Sequence, residues 1–272
     1  MAKERFQIKG SPFEYINRLI DAKKDFKVSI TSASGKIQIG EKTVSFGSAW
    51  KMKTLGLYSK TNAYLSKREL PASPQKINYI NLTSPEQALK VYDNVCSLDI
   101  SAAYHSAAEI LGYFNEDLKN AHLAAGKKER LQAFGATAKR SEEFIYVNGI
   151  LTHEEPIENP NRPFFENCAM YVGDTLEEIK FRMGKEFIFY WVDCAFFIDT
   201  PENRAIAYEV FNAAGFVVHM ENTQFMIYRR DEKKHTIERY KDGKQLVYNL
   251  PIYDVKKYEK RKFEARNKIN RF

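Results

Sequence analysis

The chain has 272 residues, 44% hydrophobic and 28% charged, a composition that is typical of folded globular proteins and excludes an intrinsically disordered chain. The start, MAKERFQIKG, has no apolar leader, and the longest apolar stretch, Phe187 to Ile198, is too short to span a bilayer, so we expect a soluble, cytoplasmic protein with no membrane partner. The net charge of +7 is concentrated in residues 229–272, where we count 15 Lys or Arg against 7 Asp or Glu; this tail fits either a phosphate-backbone partner or a solvated amphipathic helix.

The first 94 residues are predicted to form a small α/β region. The segment SPFEYINRLIDAKK predicts a short helix with Pro12 at its first position. The segment FKVSITSASGKIQIGEKTVSF predicts two or three strands with breaks at Ser34-Gly35 and Gly40-Glu41. The stretch LPASPQK is the predicted linker, and TSPEQALKVYDNV predicts a second helix that begins at Ser84-Pro85.

Helices and strands alternate irregularly through the rest of the chain. The strand VCSLDI leads into a helical segment, SAAYHSAAEILGYF, and another helix is predicted for residues 121–140. FIYVNGILTH predicts a hairpin with a type I′ turn at Asn148-Gly149. A helix from about Phe165 to Met183, ended by Gly184, precedes one apolar strand, FIFYWVDCAFFID. A helix at Pro201 to Ala214 and a pair of strands, GFVVHM and QFMIYRR, follow. The pattern predicts an α+β fold, with helices on one face of an antiparallel sheet.

Several classes of enzyme are disfavoured by missing motifs. Three cysteines, Cys96, Cys168 and Cys194, lie far apart and cannot form a closed disulfide set or a four-cysteine zinc site. The five histidines show no HxxxH or HxH spacing, which argues against a zinc enzyme. The sequence also has no GxxxxGK[ST] loop and no GxSxG elbow, which argues against a P-loop motor and an α/β-hydrolase.

Two aspartates stand in apolar surroundings. Asp99 lies between Leu98 and Ile100 at the end of a predicted strand, and Asp193 lies inside the long apolar strand. Burying such a carboxylate is costly unless its charge is compensated. An N-cap or an ion pair can explain either aspartate alone, whereas both together favour a shared divalent cation. Oxygen ligands point to Mg²⁺ or Mn²⁺.

The residues around these aspartates resemble the motifs of family B DNA polymerases. SLDISAAYH resembles the first motif, DxxSLYPS, with Asp99 at the catalytic aspartate and Tyr104 at the tyrosine that excludes a ribose 2′-hydroxyl. KKERLQAFG resembles the second motif, KxxxNSxYG. In that motif Lys127 matches the lysine that contacts the triphosphate, and Phe134-Gly135 takes the place of Tyr-Gly.

The third motif and the segment after it extend the resemblance. FYWVDC resembles YxDTDS, with Asp193 at the second, metal-binding aspartate and Trp191 at the first. A register shifted by two residues would place Asp193 at the first aspartate and Ala195 at the metal position. The segment MENTQFMIYRRDEKKHTIERY resembles the primer-gripping segment with its KxY signature. The nucleic-acid-binding candidates there are Arg229, Arg230, Lys233, Lys234 and Tyr240.

The resemblance implies a polymerase-like palm and a polymerase reaction. The palm would span residues 95–228, with minimal helical fingers at about 105–140, an N-terminal region at 1–94 and a basic primer/template-binding tail or thumb remnant at 229–272. Asp99, Asp193 and the Ile100 carbonyl would hold Mg²⁺ or Mn²⁺ for two-metal phosphoryl transfer. Arg130 is a further candidate at the phosphates. The implied partners are a DNA primer–template, deoxynucleoside triphosphates and a terminal or primer protein, in replication of a virus, plasmid or mobile element.

Other interpretations remain open at the level of sequence. Tyr104 also fits an ordinary core aromatic, Lys127 a solvent-facing helix residue, and KKHTIERYKDGK a plain charged hairpin. The main rival to a polymerase is a catalytically degenerate palm that serves as a nucleic-acid-binding replication or structural protein. A reverse transcriptase or primase is disfavoured, because the sequence lacks a YxDD motif and because Tyr104 implies deoxynucleotides.

Overall fold

The computed structural model describes residues 5–7, 12–30, 34–47, 52–74, 80–82, 89–230, 234–241 and 243–251. These residues form seven helices and two mainly antiparallel sheets, which confirms the predicted α+β class. Within these ranges, no helix has the length and apolar character needed to cross a membrane.

The elements follow one another in this order along the chain. They are β1 (Arg5–Gln7), α1 (Pro12–Asp21), β2 (Phe26–Ile30), β3 (Ser34–Ile39), β4 (Lys42–Gly47), α2 (Met52–Leu65), β5 (Ile80–Leu82), β6 (Leu89–Ile100), α3 (Ala103–Ile110), α4 (Glu116–Leu123), α5 (Lys127–Thr137), β7 (Arg140–Val147), β8 (Ile150–Glu158), α6 (Arg162–Met183), β9 (Phe187–Trp191), β10 (Cys194–Ile198), α7 (Pro201–Ala213), β11 (Val218–Arg230), β12 (Lys234–Lys241) and β13 (Lys244–Pro251). A short 3-10 helix, Gly184–Glu186, joins α6 to β9.

The chain divides into two compact units that are discontinuous in sequence, whereas the sequence predicts three consecutive regions. The first unit comprises residues 1–73 and 113–166. Its six strands lie in the order β1-β4-β3-β2-β7-β8, and every neighbouring pair is antiparallel except β1 and β4. Helices α2 and α4 are joined by a buried 2.9 Å contact between Thr61 Oγ1 and His122 Nε2.

The second unit comprises residues 74–112 and 167–272 and is built on a seven-stranded antiparallel sheet. Its order is β13-β12-β11-β6-β10-β9-β5. The central four strands have the arrangement of a split β-α-β unit, because β6 lies between β11 and β10 with helices in both crossovers. Helix α6 covers one face, where the Tyr190 hydroxyl donates a 2.7 Å hydrogen bond to Glu177. Leu98 and Ala195, which are register partners on that face, are fully buried.

Aromatic side chains cover the middle of the other face of this sheet. Phe189 and Phe196 stack there with ring centroids 4.3 Å apart. Trp191 of β9 meets Tyr248 of β13 at 5.3 Å, although four strands separate β9 from β13 in the sheet. The sheet therefore curls around this apolar cluster, as strongly twisted sheets tend to do.

Several predicted elements are confirmed. Helix α1 begins at Pro12, and the chain turns at Gly40 between β3 and β4. The β7–β8 hairpin turns at Asn148-Gly149, where both residues have positive φ as a type I′ turn requires. Helix α7 begins after Thr200, whose side chain accepts a hydrogen bond from the Asn203 N–H.

Four predicted elements differ from the structure. The expected helix after Ser84-Pro85 is wrong over residues 89–95, which begin the twelve-residue strand β6; residues 83–88 lie outside the described ranges. Its alternating stretch KVYDNV pairs with β11, and this pairing outweighs the local helix signal. The helix expected at 121–140 is two helices, α4 and α5, separated at Gly126. Conversely, GFVVHM and QFMIYRR contribute to one continuous strand, β11, along the whole of β6.

The most consequential difference concerns FIFYWVDCAFFID. It was predicted as one strand, but it forms the β9–β10 hairpin, with Val192 and Asp193 in the turn. The turn lacks the glycine or asparagine that marks most tight hairpins, so the apolar run concealed it. Asp193 therefore lies at the tip of a hairpin rather than inside a strand.

Candidate functional site

The structure brings Asp99 and Asp193 together. Asp99 of β6 is the register partner of Cys194, the first residue of β10. The N–H of Ile100 donates a 2.9 Å hydrogen bond to the backbone carbonyl of Asp193. Two aspartates 94 positions apart in sequence thus lie on neighbouring positions at one end of the sheet.

Their burial differs from the expectation. Asp99 is exposed, although Leu98 and Ile100 beside it are buried, and Asp193 is half-buried. Because Asp99 points away from the face that buries its neighbours, its desolvation cost is smaller than the sequence suggested. The case for a shared cation therefore depends on the proximity of the two carboxylate residues rather than on burial.

The turn that carries Asp193 has an uncommon backbone. Val192 has φ of 57°, in the left-handed region that β-branched residues rarely adopt. The Asp193 N–H donates to the Trp191 carbonyl at 2.7 Å, which closes the turn tightly. Such a conformation costs about 1–3 kcal/mol and persists where the surrounding structure holds it. Here the hydrogen bond from Ile100 to Asp193 holds the turn against β6.

Strand register arranges the side chains around Asp99 in two rows. In the first row, Asp99 lies between Cys194 of β10 and His219 of β11. In the second row, two residues before Asp99 on β6, Ser97 lies between Phe196 and Glu221. Because residues at positions i and i+2 share a face of a strand, both rows lie on the face opposite Leu98. We call Cys194–Asp99–His219 the carboxylate row and Phe196–Ser97–Glu221 the serine row.

Arg239 of β12 lies across the serine row. This residue is only 4% exposed. Its guanidinium donates hydrogen bonds to Ser97 Oγ at 3.0 Å and to Glu221 Oε2 at 3.3 Å, and its carbon lies 4.9 Å from the Phe196 ring centroid. Sequence reasoning missed this residue, since it assigned function to the neighbouring Tyr240. The alternation of Ile237 and Arg239 on one face of β12 was the available signal.

The charged groups around this site shift the pKa of the Cys194 thiol. Burial is the main cause that raises its pKa well above the usual range. The negative charges of Asp99, Asp193 and Glu221 raise the pKa further, whereas Arg239 lowers it. Four charged groups therefore act on one sulfur atom, and the thiol stays protonated at neutral pH.

The donor set fits a hard divalent cation. Asp99, Asp193 and the Ile100 carbonyl would supply oxygen atoms, which Mg²⁺ and Mn²⁺ prefer, whereas a cysteine sulfur suits softer metal ions. In the part of the chain that the structure describes, no group of three or more His, Cys, Asp or Glu side chains is placed to hold a metal ion. Metal binding by the two aspartates therefore stays a prediction.

Tyr104 belongs to the same unit as the aspartates. It is half-buried on α3, which starts immediately after the end of β6. Two hydrogen bonds fix this connection: Ser101 N–H donates to the Val217 carbonyl at 2.8 Å, and Ser106 Oγ donates to the Ser101 carbonyl at 2.8 Å. The position of Tyr104 relative to Asp99 is therefore set by a short, well-anchored turn.

The residues of the second motif lie on α5, in the first unit. Lys127 is exposed in the first turn, and Arg130 is half-buried. Phe134 is 3% exposed, and its ring lies 4.6 Å from that of Phe164. This packing makes Phe134 a core aromatic of the first unit. At Gly135 an added Cβ would meet no atom within 4 Å, so local packing does not require a glycine there.

The predicted nucleic-acid-binding residues of β11 and β12 surround Glu238. Arg229 Nε lies 3.3 Å from Glu238 Oε1, and the Tyr240 hydroxyl donates to Glu238 Oε2 at 3.1 Å. Tyr240 lies on the face of β12 opposite Arg239, since consecutive side chains alternate. The side chains of Arg230 and Lys234, and all of Lys233, lie outside the described residues.

Comparison of the sequence with models of protein families gives no match. A comparison with curated proteins gives no match either. Function is therefore inferred from the residues and their geometry.

Proposed function

We propose that this protein is a template-directed DNA polymerase that adds deoxynucleotides by two-metal phosphoryl transfer. The observation that carries the proposal is the pairing of β6 with β10, which places Asp99 beside the turn that holds Asp193. These are the two residues that the family B resemblance assigns to metal binding. Their proximity was not an input to the motif alignment, so it supports that alignment independently.

The surrounding architecture also supports the proposal. A palm needs an antiparallel sheet with helices on one face, and the second unit has this arrangement with α6 on the Tyr190 face. The aspartates lie at the end of one strand and in the adjacent hairpin turn. The hydrogen bond from Ile100 to Asp193 couples the two segments, so their side chains are positioned by regular structure.

The mechanism assigns a role to each residue near the pair. Asp99, Asp193 and the Ile100 carbonyl would hold the metal ions, which when bound lower the pKa of the primer 3′-hydroxyl and neutralise the triphosphate. Tyr104 would pack under the sugar and exclude a 2′-hydroxyl. The roles that the resemblance gives Lys127 and Arg130 at the phosphates stay predictions. The proposed partners are a DNA primer–template and deoxynucleoside triphosphates.

A second candidate is a catalytically degenerate palm that binds nucleic acid. The observation that favours it is Arg239, a buried cation on the same face as Asp99. An arginine at this place offsets part of the carboxylate charge without a metal ion. The two candidates differ in whether the protein catalyses nucleotide addition, and an activity assay decides between them.

The test is primer extension on a short primer–template with Mg²⁺ or Mn²⁺, comparing wild type with Asp99→Asn and Asp193→Asn. We expect extension by the wild type and a loss of at least about 100-fold in each variant, because metal ligation stabilises the transition state. Asp93→Asn is the matched control, since Asp93 is exposed on the same strand, six residues from Asp99. We expect its rate to stay within about twofold of wild type.

The opposite results are equally informative. A wild type that does not extend the primer with either ion, yet binds DNA in a salt-sensitive gel shift, contradicts the polymerase proposal and supports the degenerate palm. Loss of activity in Asp193→Asn but not in Asp99→Asn would contradict the assignment of Asp99 as a metal ligand.

A further inference from the structure

The serine row holds an arginine that the proposed reaction does not use. Arg239 approaches from β12 and ends above Phe196, with hydrogen bonds to Ser97 and Glu221. Ser97 is two residues before Asp99 on the same face of β6, so the guanidinium lies about 7 Å along the strand from the carboxylate row. An arginine guanidinium stays charged in folded proteins, so this buried group carries a full positive charge.

We propose that Arg239 and Glu221 form an internal charge pair that sets the affinity of Asp99 and Asp193 for divalent cations. The inference rests on the proposed function, because it assumes that these aspartates bind a metal ion. Arg239 is a positioning residue, since it acts through the carboxylates rather than by touching the substrate. The charged and titratable groups that face it are Glu221 and His219 on β11, Asp99 on β6, and Cys194 and Asp193 on the β9–β10 hairpin.

Different exposures of the two partners make the pair asymmetric. The Arg239 side chain is 5% exposed, whereas the Glu221 side chain is 44% exposed. Solvent screens the carboxylate more than the guanidinium, so Arg239 leaves a net positive field at the carboxylate row. The hydrogen bond from Arg239 to Ser97 Oγ places this charge two residues from Asp99 on the same face of β6, so the carboxylate row lies within its field.

This field weakens the binding of a free cation. A single charge at this distance, partly screened, changes the affinity for a divalent ion by about three- to tenfold. A cation that arrives with a nucleoside triphosphate carries the phosphate charges with it and is repelled less. The charge pair therefore favours loading of the metal together with the nucleotide over loading of the metal alone.

The test measures Mn²⁺ binding to the full chain by electron paramagnetic resonance of the free ion, without nucleotide. Arg239→Met removes the positive charge, and we expect Mn²⁺ to bind about three- to tenfold more tightly. Glu221→Gln removes a negative charge that solvent screens more strongly than Arg239, so we expect Mn²⁺ binding to weaken by a smaller factor, about twofold. Arg239→Lys keeps the charge and should bind Mn²⁺ as the wild type does. The double variant Arg239→Met/Glu221→Gln removes the net positive field, so it should bind Mn²⁺ more tightly than the wild type but less tightly than Arg239→Met.

Opposite signs separate an electrostatic role from a structural one. If Arg239 only held the sheet together, both single variants would weaken Mn²⁺ binding, and that result overturns the inference. Glu221→Gln keeps the test valid if Arg239→Met unfolds, because the change is nearly isosteric at a side chain that is 44% exposed. Weakened binding in Glu221→Gln together with unchanged binding in Arg239→Lys supports the inference on its own.

The same titrations separate failure of the inference from failure of the proposed function. Mn²⁺ binding that is lost in Asp99→Asn and Asp193→Asn, yet unchanged in Arg239→Met and Glu221→Gln, overturns the charge pair and leaves the metal site standing. Mn²⁺ binding that is insensitive to both aspartate variants contradicts the metal site, and the inference falls with it.

Discussion

The two faces of the seven-stranded sheet differ in what the end of β6 contributes to them. On the helix-covered face, Leu98 and Tyr190 are fully buried, and the Tyr190 hydroxyl donates a hydrogen bond to Glu177 of α6. On the opposite face, the same strand β6 presents Ser97 and Asp99 to polar groups, with Ser97 bonded to Arg239. Adjacent residues of one strand therefore serve either a hydrocarbon core or a charged site.

The comparison shows how strand alternation separates stability from chemistry. Substitutions at even-numbered positions 96, 98 and 100 of β6 change packing against the helices, because those residues are buried. Substitutions at 97 and 99 change hydrogen bonds and charge. A test of either role needs a matched substitution at the neighbouring residue on the other face.

The largest effect that we expect is on stability at Leu98. Leu98→Ala removes a fully buried side chain and should lower the free energy of unfolding by about 3 kcal/mol. Ser97→Ala, one residue away, removes the hydrogen bond that Ser97 accepts from Arg239 and the one that it donates to the Glu221 carbonyl, and should cost about 1–2 kcal/mol. Urea dependence of hydrogen–deuterium exchange in peptides of β6 and β10 measures both. Equal losses in the two variants would contradict the division between the faces.

A smaller effect concerns pH and the Cys96 thiol on the helix-covered face. Burial and, to a smaller extent, the charge of Asp199 raise the pKa of Cys96 to about 12, and Arg204 opposes the shift. A thiol whose pKa is higher in the folded state contributes stability that is complete below the unfolded value of about 8.5. That contribution is lost as pH rises from there towards about 12.

The comparison of wild type with Cys96→Ala isolates this contribution. Between pH 9 and 11, the unfolding free energy of the wild type should fall relative to Cys96→Ala by on the order of 1 kcal/mol per pH unit at most. Below pH 8 the difference between the two proteins should be constant. Urea titrations at fixed pH measure it, and a constant difference up to pH 11 would show that Cys96 ionises freely in the folded state.

Local signals in the sequence predicted much of the fold. The Asn148-Gly149 turn and the helix starts at Pro12 and Pro201 were all predicted, because a turn or a helix start depends on a few adjacent residues. The α+β class followed from the order of these elements. The chain's division into discontinuous units was not foreseen, since it depends on contacts between distant segments.

The candidate site was predictable only in part. Motif resemblance selected Asp99 and Asp193, and the structure brings them together. The β9–β10 turn was missed, because the residues around Val192 are apolar and carry no turn signal. Arg239 was missed for a different reason. Its role depends on the register of β12 against β11 and on the curl of the sheet, and neither can be read from a basic segment alone.

The smallest expected effect tests whether nucleic acid contacts the back of β12, which is the face opposite Arg239. Glu238 holds Arg229 and Tyr240 there, away from Arg239. Glu238→Gln removes a negative charge and releases Arg229 from its ion pair, so affinity for DNA should rise by about twofold at low salt and the gain should fade at high salt. Fluorescence anisotropy of a labelled primer–template measures this, with Arg229→Gln as the control that should weaken binding. If neither change alters affinity at low salt, the nucleic acid does not contact the back of β12. The face that carries Asp99 and Arg239 is then the remaining candidate surface for binding.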